Sequence, residues 1–306
     1  MTGKSGTFFK LVAGGVLAFG LGHAEAEVVT FLTPAADTTM RSTDPDLNYG
    51  ASSTLFVGVS FSTPKTNRSL FQFNLASVPT NATVTSATLQ IVVVGTGQPA
   101  TNFDLCRMLK SWGEGVQDGL TNAVNESSWN ARFAPSSLWG AGGGQAGLDF
   151  IAVPSCTAPL AGPVSTNAFS SAGMIADLQL WLSQPGTNFG WILLASGEPA
   201  GTGKQIGSRE SGATNSPVLE LHYTVPAAAT PPNIFNAALS GNTMRFSFIA
   251  QSNRTYAVEF RASAASGIWN PTPLTNLPGL PSDTVVSITD TILTTGRYYR
   301  VRTPSP

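Results

Sequence analysis

Arg68-Ser-Leu-Phe-Gln-Phe-Asn74 is the stretch on which the fold reading turns. Successive side chains of a strand point to opposite faces, so Leu70 lies on one side and Phe71 and Phe73 on the other. Thr83 to Val94 continues the pattern with Val84, Leu89, Ile91 and Val93, and ends at Gly95. Working outward, residues 28–33, 37–42, 54–59, 103–109, 150–153, 189–194 and 217–224 read as further short strands. Turn formers separate them, as in Asp44-Pro-Asp-Leu-Asn-Tyr-Gly50. The pattern predicts an all-β fold, an antiparallel β-sandwich or jelly roll. One short helix is expected over residues 171–182, where Met174, Ile175, Leu178, Trp181 and Leu182 share a face. Pro185-Gly186 ends it.

Composition agrees with this reading. Of 306 residues, 42% are hydrophobic and 11% charged, with 31 Gly and 21 Pro. A charged fraction far below the usual ~25% does not favour long exposed helices. The apolar content is too high for a disordered chain. A formal net charge of −1 argues against nucleic acid as a partner, because phosphate binding needs a basic surface.

Lys4 and Lys10 flank a polar start, Leu11 to Leu21 form an apolar core, and Ala24-Glu25-Ala26 supplies small residues for cleavage. Residues 1–26 therefore read as a secretory signal peptide, removed before Glu27. The apolar run is too short to span a bilayer, and no later run is longer. The mature chain is expected to be secreted, with no transmembrane segment. Cleavage would remove His23 and leave His222 as the one histidine. That excludes two-His zinc sites and forces any Ser–His–Asp triad to use His222, which sits in the alternating run 218–224 and reads as a surface strand residue. Export permits a disulfide between Cys106 and Cys156, closing a loop of about 50 residues. Two buried free thiols are the alternative.

Pro226-Ala-Ala-Ala-Thr-Pro-Pro232 has linker character. Residues 27–225 carry 8 basic and 13 acidic residues, whereas 226–306 carry 6 arginines, no lysine and 3 acids. The chain thus divides into a signal peptide (1–26), a large β-sandwich (27–225), a linker (226–232) and a smaller β domain (233–306). In the last, residues 243–249, 255–261, 284–289 and 297–302 alternate apolar and polar positions. Its arginines make either a solvated face or a basic patch that meets an anionic glycan or the acidic first domain.

Landmarks recur in order along the first domain: Asp37-Thr38, Leu47-Asn-Tyr-Gly50, Leu55-Phe-Val-Gly58, Arg68-Ser-Leu-Phe-Gln-Phe73, Trp112-Gly-Glu-Gly115, Ser128-Trp-Asn-Ala-Arg132, Ser208-Arg-Glu210 and Ser216-Pro-Val-Leu-Glu-Leu-His-Tyr223. In these the domain resembles the DNRLRE family, named for disaggregatase-related proteins and grouped with carbohydrate-binding module family 96. The resemblance implies a non-catalytic β-sandwich that binds extracellular polysaccharide. Gln251-Ser-Asn-Arg-Thr-Tyr-Ala-Val-Glu259, Trp269, Asp290 and Tyr298-Tyr-Arg-Val-Arg302 resemble the fibronectin-III/immunoglobulin-like tail of Verrucomicrobia-type secreted proteins.

Function is expected in the excursion from Ser111 to Gly147. Trp112, Trp129 and Trp139 offer planar faces to sugar rings, and Glu114, Asn130 and Arg132 offer hydrogen bonds to hydroxyls or to a uronate carboxylate. The same tryptophans would otherwise plug the end of a core. Asp37, Asp44 and Asp46 with Glu210 make a candidate oxygen cage for a structural Ca²⁺, against turn capping and ion pairs with Arg41 or Arg209. No other cofactor is expected. Glu114 with Asp118 or Glu126 is a candidate glycosidase pair, and Tyr49 near Arg41 a candidate lyase site; acids in a loop more often form turns. The expected function is a secreted, non-catalytic polysaccharide binder, with anionic polymers among its candidate ligands. A structural or adhesive cell-surface protein is the first alternative, and a polysaccharide-cleaving hydrolase or lyase the second.

Overall fold

The computed structural model describes residues 26–61, 65–95, 99–162, 164–226, 232–262, 269–271, 277–292 and 297–303. The expected signal peptide, save Ala26, and linker residues 227–231 lie outside this set. The described chain forms two compact units that divide after Pro226. Both are built of antiparallel strands.

The first unit has two layers. One runs in spatial order Glu27–Leu32, Val218–Thr224, Thr83–Gly95, Lys204–Gly207, Thr54–Val59, with Ser165–Phe169 also paired to Thr83–Gly95. The other runs Thr54–Val59, Thr66–Phe73, Trp191–Ala195, Thr101–Arg107, Cys156–Leu160, with Pro34–Arg41 beside Thr66–Phe73. Thr54–Val59 belongs to both: Thr54 to Val57 pair with Lys204–Gly207, while Gly58 and Val59 pair with Thr66–Phe73. Gly58 turns this corner at φ +88°, and a Cβ there would lie 2.5 Å from the Thr202 carbonyl oxygen.

The alternation read from residues 68–74 is what the layers use. Phe71, Phe73, Leu105 and Trp191 meet Leu89, Ile91 and Leu221 in the core between the layers. The helix Ala172–Ser183 closes that core with Met174, Leu178, Trp181 and Leu182. Ser171 caps it, its hydroxyl accepting from the Met174 N–H at 3.1 Å. Leu70 faces the other way, into a second core with Met40, Cys106, Met108 and Ile192. Trp112, Trp139 and Phe150, from the chain between Arg107 and Cys156, cover this outer face. The second layer is therefore buried on both sides.

Three expectations change. Cys106 and Cys156 form no disulfide; both are free and buried. Cys156 stands opposite Leu105 and shares its face toward the inter-layer core, whereas the next residue, Cys106, faces the outer core. The pleat keeps the two thiols on opposite sides of the sheet. Residues 150–153 are not a strand, since Phe150 makes only isolated bridges to Met108 and Ala146. Strands Cys156–Leu160, Ser165–Phe169 and Lys204–Gly207 were not foreseen, being short and weakly apolar.

The second unit pairs Ile234–Ser240, Thr243–Ala250 and Thr284–Thr291 in one sheet, and Asn270–Pro271, Ala257–Arg261 and Tyr298–Arg302 in another. Phe246, Phe248, Tyr256, Val258 and Ile288 form its core.

Alkylation of the denatured, unreduced protein should label both cysteines by mass spectrometry, and added reductant should leave the melting temperature unchanged. A chain that takes no label without reductant would contradict the sheet register.

Candidate functional site

The excursion's tryptophans are packing residues. Trp112 and Trp139 are only 8% and 6% exposed, and their indole N–H groups donate to the Phe189 and Ser128 carbonyls, each at 2.9 Å. Trp129 is half-buried beneath the glycine-rich run. A Cβ on Gly142 would come within 2.4 Å of Trp129 Nε1, and one on Gly143 (φ +77°) within 2.6 Å of the ring. Arg68 adds a cation 5.6 Å from the Trp129 centroid. Its guanidinium grips both Glu198 oxygens, at 2.7 and 2.8 Å, and donates to the Gly143 and Gly144 carbonyls at 3.0 and 2.9 Å. Asn130 donates to Asp46 Oδ1 at 2.9 Å, and Arg132 donates to the Ser111 carbonyl at 3.2 Å while lying over Phe133. Of the two readings open for these tryptophans, the surroundings of Trp112 and Trp139 match the plug of a core, and Trp129 lies under a cover held down from several sides. Trp139→Ala should cost about 3–5 kcal/mol of stability in denaturant titration, the usual price of a buried aromatic.

The four carboxylates expected to cage Ca²⁺ do not converge. Asp44 pairs with Arg41 at 3.3 Å and accepts from the Tyr49 hydroxyl at 3.1 Å, while Asp46 holds Asn130. Among the described residues, no group of three or more His, Cys, Asp or Glu is placed to hold a metal ion. Asp37 and Glu210 instead join Glu114 around Arg209. The Arg209 backbone N–H donates to Asp37 Oδ2 at 2.8 Å, and the Asp37 N–H donates to Glu114 Oε1 at 2.7 Å. Arg209 Nε lies 2.8 Å from Glu114 and 2.6 Å from Glu210. This clamp fastens strand Pro34–Arg41, the excursion and the 208–211 turn to one another. Of the two acids that could pair with Glu114, Asp118 is exposed, and Glu126 is buried and accepts from the Val116 and Ala123 N–H groups at 2.8 and 2.7 Å. His222 lies beside Glu220 (2.9 Å) and Glu27 (3.6 Å), two neighbours from paired strands.

Asp37 is fully buried, and among the described residues its Oδ1 has no hydrogen-bond partner. Burial is the main cause that pushes its carboxyl up to about 8; the Arg209 N–H bond opposes this, and Glu210 and Glu114 add to it. Burial also raises Glu114. Between 3.8 and about 8 the native Asp37 keeps a proton that the unfolded chain has released, so stability falls as pH rises through that window. Unfolding free energy should therefore increase on going from pH 8 to pH 5, and Asp37→Asn should flatten the profile. A profile unchanged by that substitution would rule out Asp37 as the titrating group.

In the first unit, a solvent-facing groove of about 310 Å³ lies on the corner where the layers join. Arg41, Phe56, Phe61, Lys65 and Lys204 line it, with Asn67 and Gln205 between them. Phe56 is the outward residue between buried Leu55 and Val57, and the Arg41 guanidinium lies 5.0 Å from its ring. Tyr49 steadies Arg41 from the other side, accepting from Nη1 at 3.0 Å. Phe61 stands 78% exposed at the rim. Lys204 is buried, its ammonium donating to the Pro99 carbonyl at 2.6 Å, and burial lowers its pKa. Among the described residues, no carboxylate lines the groove. A second cleft, about 390 Å³, lies against Phe73 and Trp181, and among the described residues no charged side chain lines it. Its amides Gln72 and Asn188 are bonded to the backbone of Asn188 and Phe73. The groove escaped sequence reasoning because its members come from separate strands; only Phe56, apolar on an outward position, was a visible signal.

Residues 28–116 match the model of carbohydrate-binding module family 96. No curated protein matches the chain. The matched segment contains Arg41, Phe56, Phe61, Lys65 and Asn67 of the groove, and stops before Trp129, Asn130, Arg132 and Trp139. The match supports a carbohydrate-binding module domain in the first unit.

Proposed function

We propose that this is a secreted, non-catalytic protein whose first unit binds an anionic polysaccharide along the corner groove, and whose second unit is an immunoglobulin-like tail. The observation that carries the reading is the lining itself: Lys65 and Arg41, the latter held by Tyr49 and Asp44, beside Phe56 and the exposed Phe61, with no carboxylate among the described lining residues. Aromatic faces suit the apolar faces of sugar rings, and cations suit uronate or sulfate groups. Of the three candidate catalytic acids, Glu114 and Glu126 are engaged by backbone N–H groups, which favours binding over turnover.

Affinity gel electrophoresis of the mature chain tests this. Polygalacturonate in the gel should retard the protein and hydroxyethyl cellulose should not, with retardation weakening as salt rises. Phe61→Ala with Lys65→Gln should weaken retention by about tenfold, the size of one lost aromatic stack. Release of reducing ends or unsaturated uronate from the polymer would overturn the non-catalytic reading. Attachment to the producer's envelope without affinity for free polymer would favour an adhesive role.

A further inference from the structure

The second unit carries an arginine face that the groove does not explain. Its strands Ala257–Arg261 and Tyr298–Arg302 pair with Ala257 opposite Arg302, Glu259 opposite Arg300, and Arg261 opposite Tyr298. Cross-strand partners share a face, and alternation adds every second residue. One face therefore carries Arg261, Arg300 and Arg302 with Tyr298 and Glu259. The other carries Val258, Tyr299 and Val301, which pack on the core of the unit. Among the described residues, three guanidiniums stand against one carboxylate on this face, which leaves it net positive.

These guanidiniums are held in place. Trp269 enters beside strand Asn270–Pro271, with the Arg261 guanidinium 4.5 Å and that of Arg300 4.2 Å from its ring centroid. Glu259 accepts from Arg300 Nε at 2.6 Å and from Arg302 Nε at 3.2 Å. Both bonds use the inner nitrogen, and among the described residues no hydrogen bond is made by the outer Nη atoms of Arg300 or Arg302. The two side chains remain 42% and 52% exposed, and Tyr298 beside them is half exposed. A guanidinium fixed by its Nε edge and presenting its Nη edge is arranged to receive an oxyanion, with little side-chain entropy left to lose. Arg300 and Arg302 are two residues apart on one strand, about 7 Å along it. They would meet successive charges of a polymer rather than one isolated group.

We propose that this arginine face is a second anchoring site for anionic polysaccharide. The choice of polymer rests on the function proposed for the first unit; the site itself does not use the groove. Two sites joined by residues 226–232 would bind one long polymer with an avidity above either alone. The test is retention of the full mature chain in gels containing polygalacturonate or dextran sulfate. Arg300→Gln with Arg302→Gln should lower retention at least tenfold, and the same positions changed to Lys, which keep charge but lose the fork, should recover only part of it. Both substitutions are on exposed side chains, and an unchanged melting temperature checks folding. Unchanged retention in the Gln pair, with retention lost in Phe61→Ala/Lys65→Gln, would overturn the arginine site and leave the groove standing. The reverse pattern would uphold the arginine site and remove the groove. A wild-type chain that is not retarded at all would overturn both. Equal retardation by single-stranded DNA of matched charge would overturn polysaccharide as the ligand of this face.

Discussion

A sheet that is apolar on both faces must be covered twice, and the first unit is organised around that requirement. Thr66–Phe73 presents Phe71 and Phe73 to one side and Leu70 to the other. Left in water, either side would forfeit roughly 1.5–3 kcal/mol for each large side chain. The opposing layer and the helix Ala172–Ser183 cover the first side. A sheet would ordinarily cover the second, yet here a long excursion of mostly irregular chain does so. Such chain has few ladder hydrogen bonds of its own, so its fixation falls to side chains.

That explains why so many polar groups with apparent chemistry are structural. Arg68 closes on Glu198 and on the carbonyls of the glycine turn, and the turn lies on Trp129. Arg209 gathers Asp37, Glu114 and Glu210 at the other end of the excursion. The clamp is built at an energetic cost, because Asp37 is buried and one of its oxygens finds no partner among the described residues. Protonation relieves that cost, and this is why the carboxyl stands so far above its ordinary value.

The fold was legible where a single strand carries its own meaning. Alternation at Leu70, Phe71 and Phe73 announced a two-faced sheet, and the spacing of Met174, Leu178, Trp181 and Leu182 announced the helix. Legibility ended where meaning depends on partners remote in sequence. A tryptophan reads the same whether it stacks on a sugar or plugs a core. The difference for Trp112 is a carbonyl 77 residues away. The Cys106–Cys156 pairing failed for a related reason, since spacing along the chain says nothing of which face each thiol takes. Asp37, Asp44 and Asp46 are neighbours in sequence, but Asp37 turns to Arg209 while the other two turn to Arg41 and Asn130.

The same logic bears on the groove proposed for recognition. In the first unit Trp112 and Trp139, which the sequence left between sugar contact and core plug, are consumed by the double cover, which leaves surface chemistry to other positions. The corner strand Thr54–Val59 is such a position, because it leaves one layer for the other and its outward residue Phe56 lines the groove. A groove at a sheet corner draws on several strands at once: Arg41, Phe56, Lys65 and Lys204 reach it from four segments. Rigid strands therefore hold Arg41, Phe56 and Lys204 at fixed separations, with Lys65 immediately before the strand Thr66–Phe73. A polymer that binds there meets charges already in place, and the ordering cost that weakens loop-borne sites is largely met by the fold.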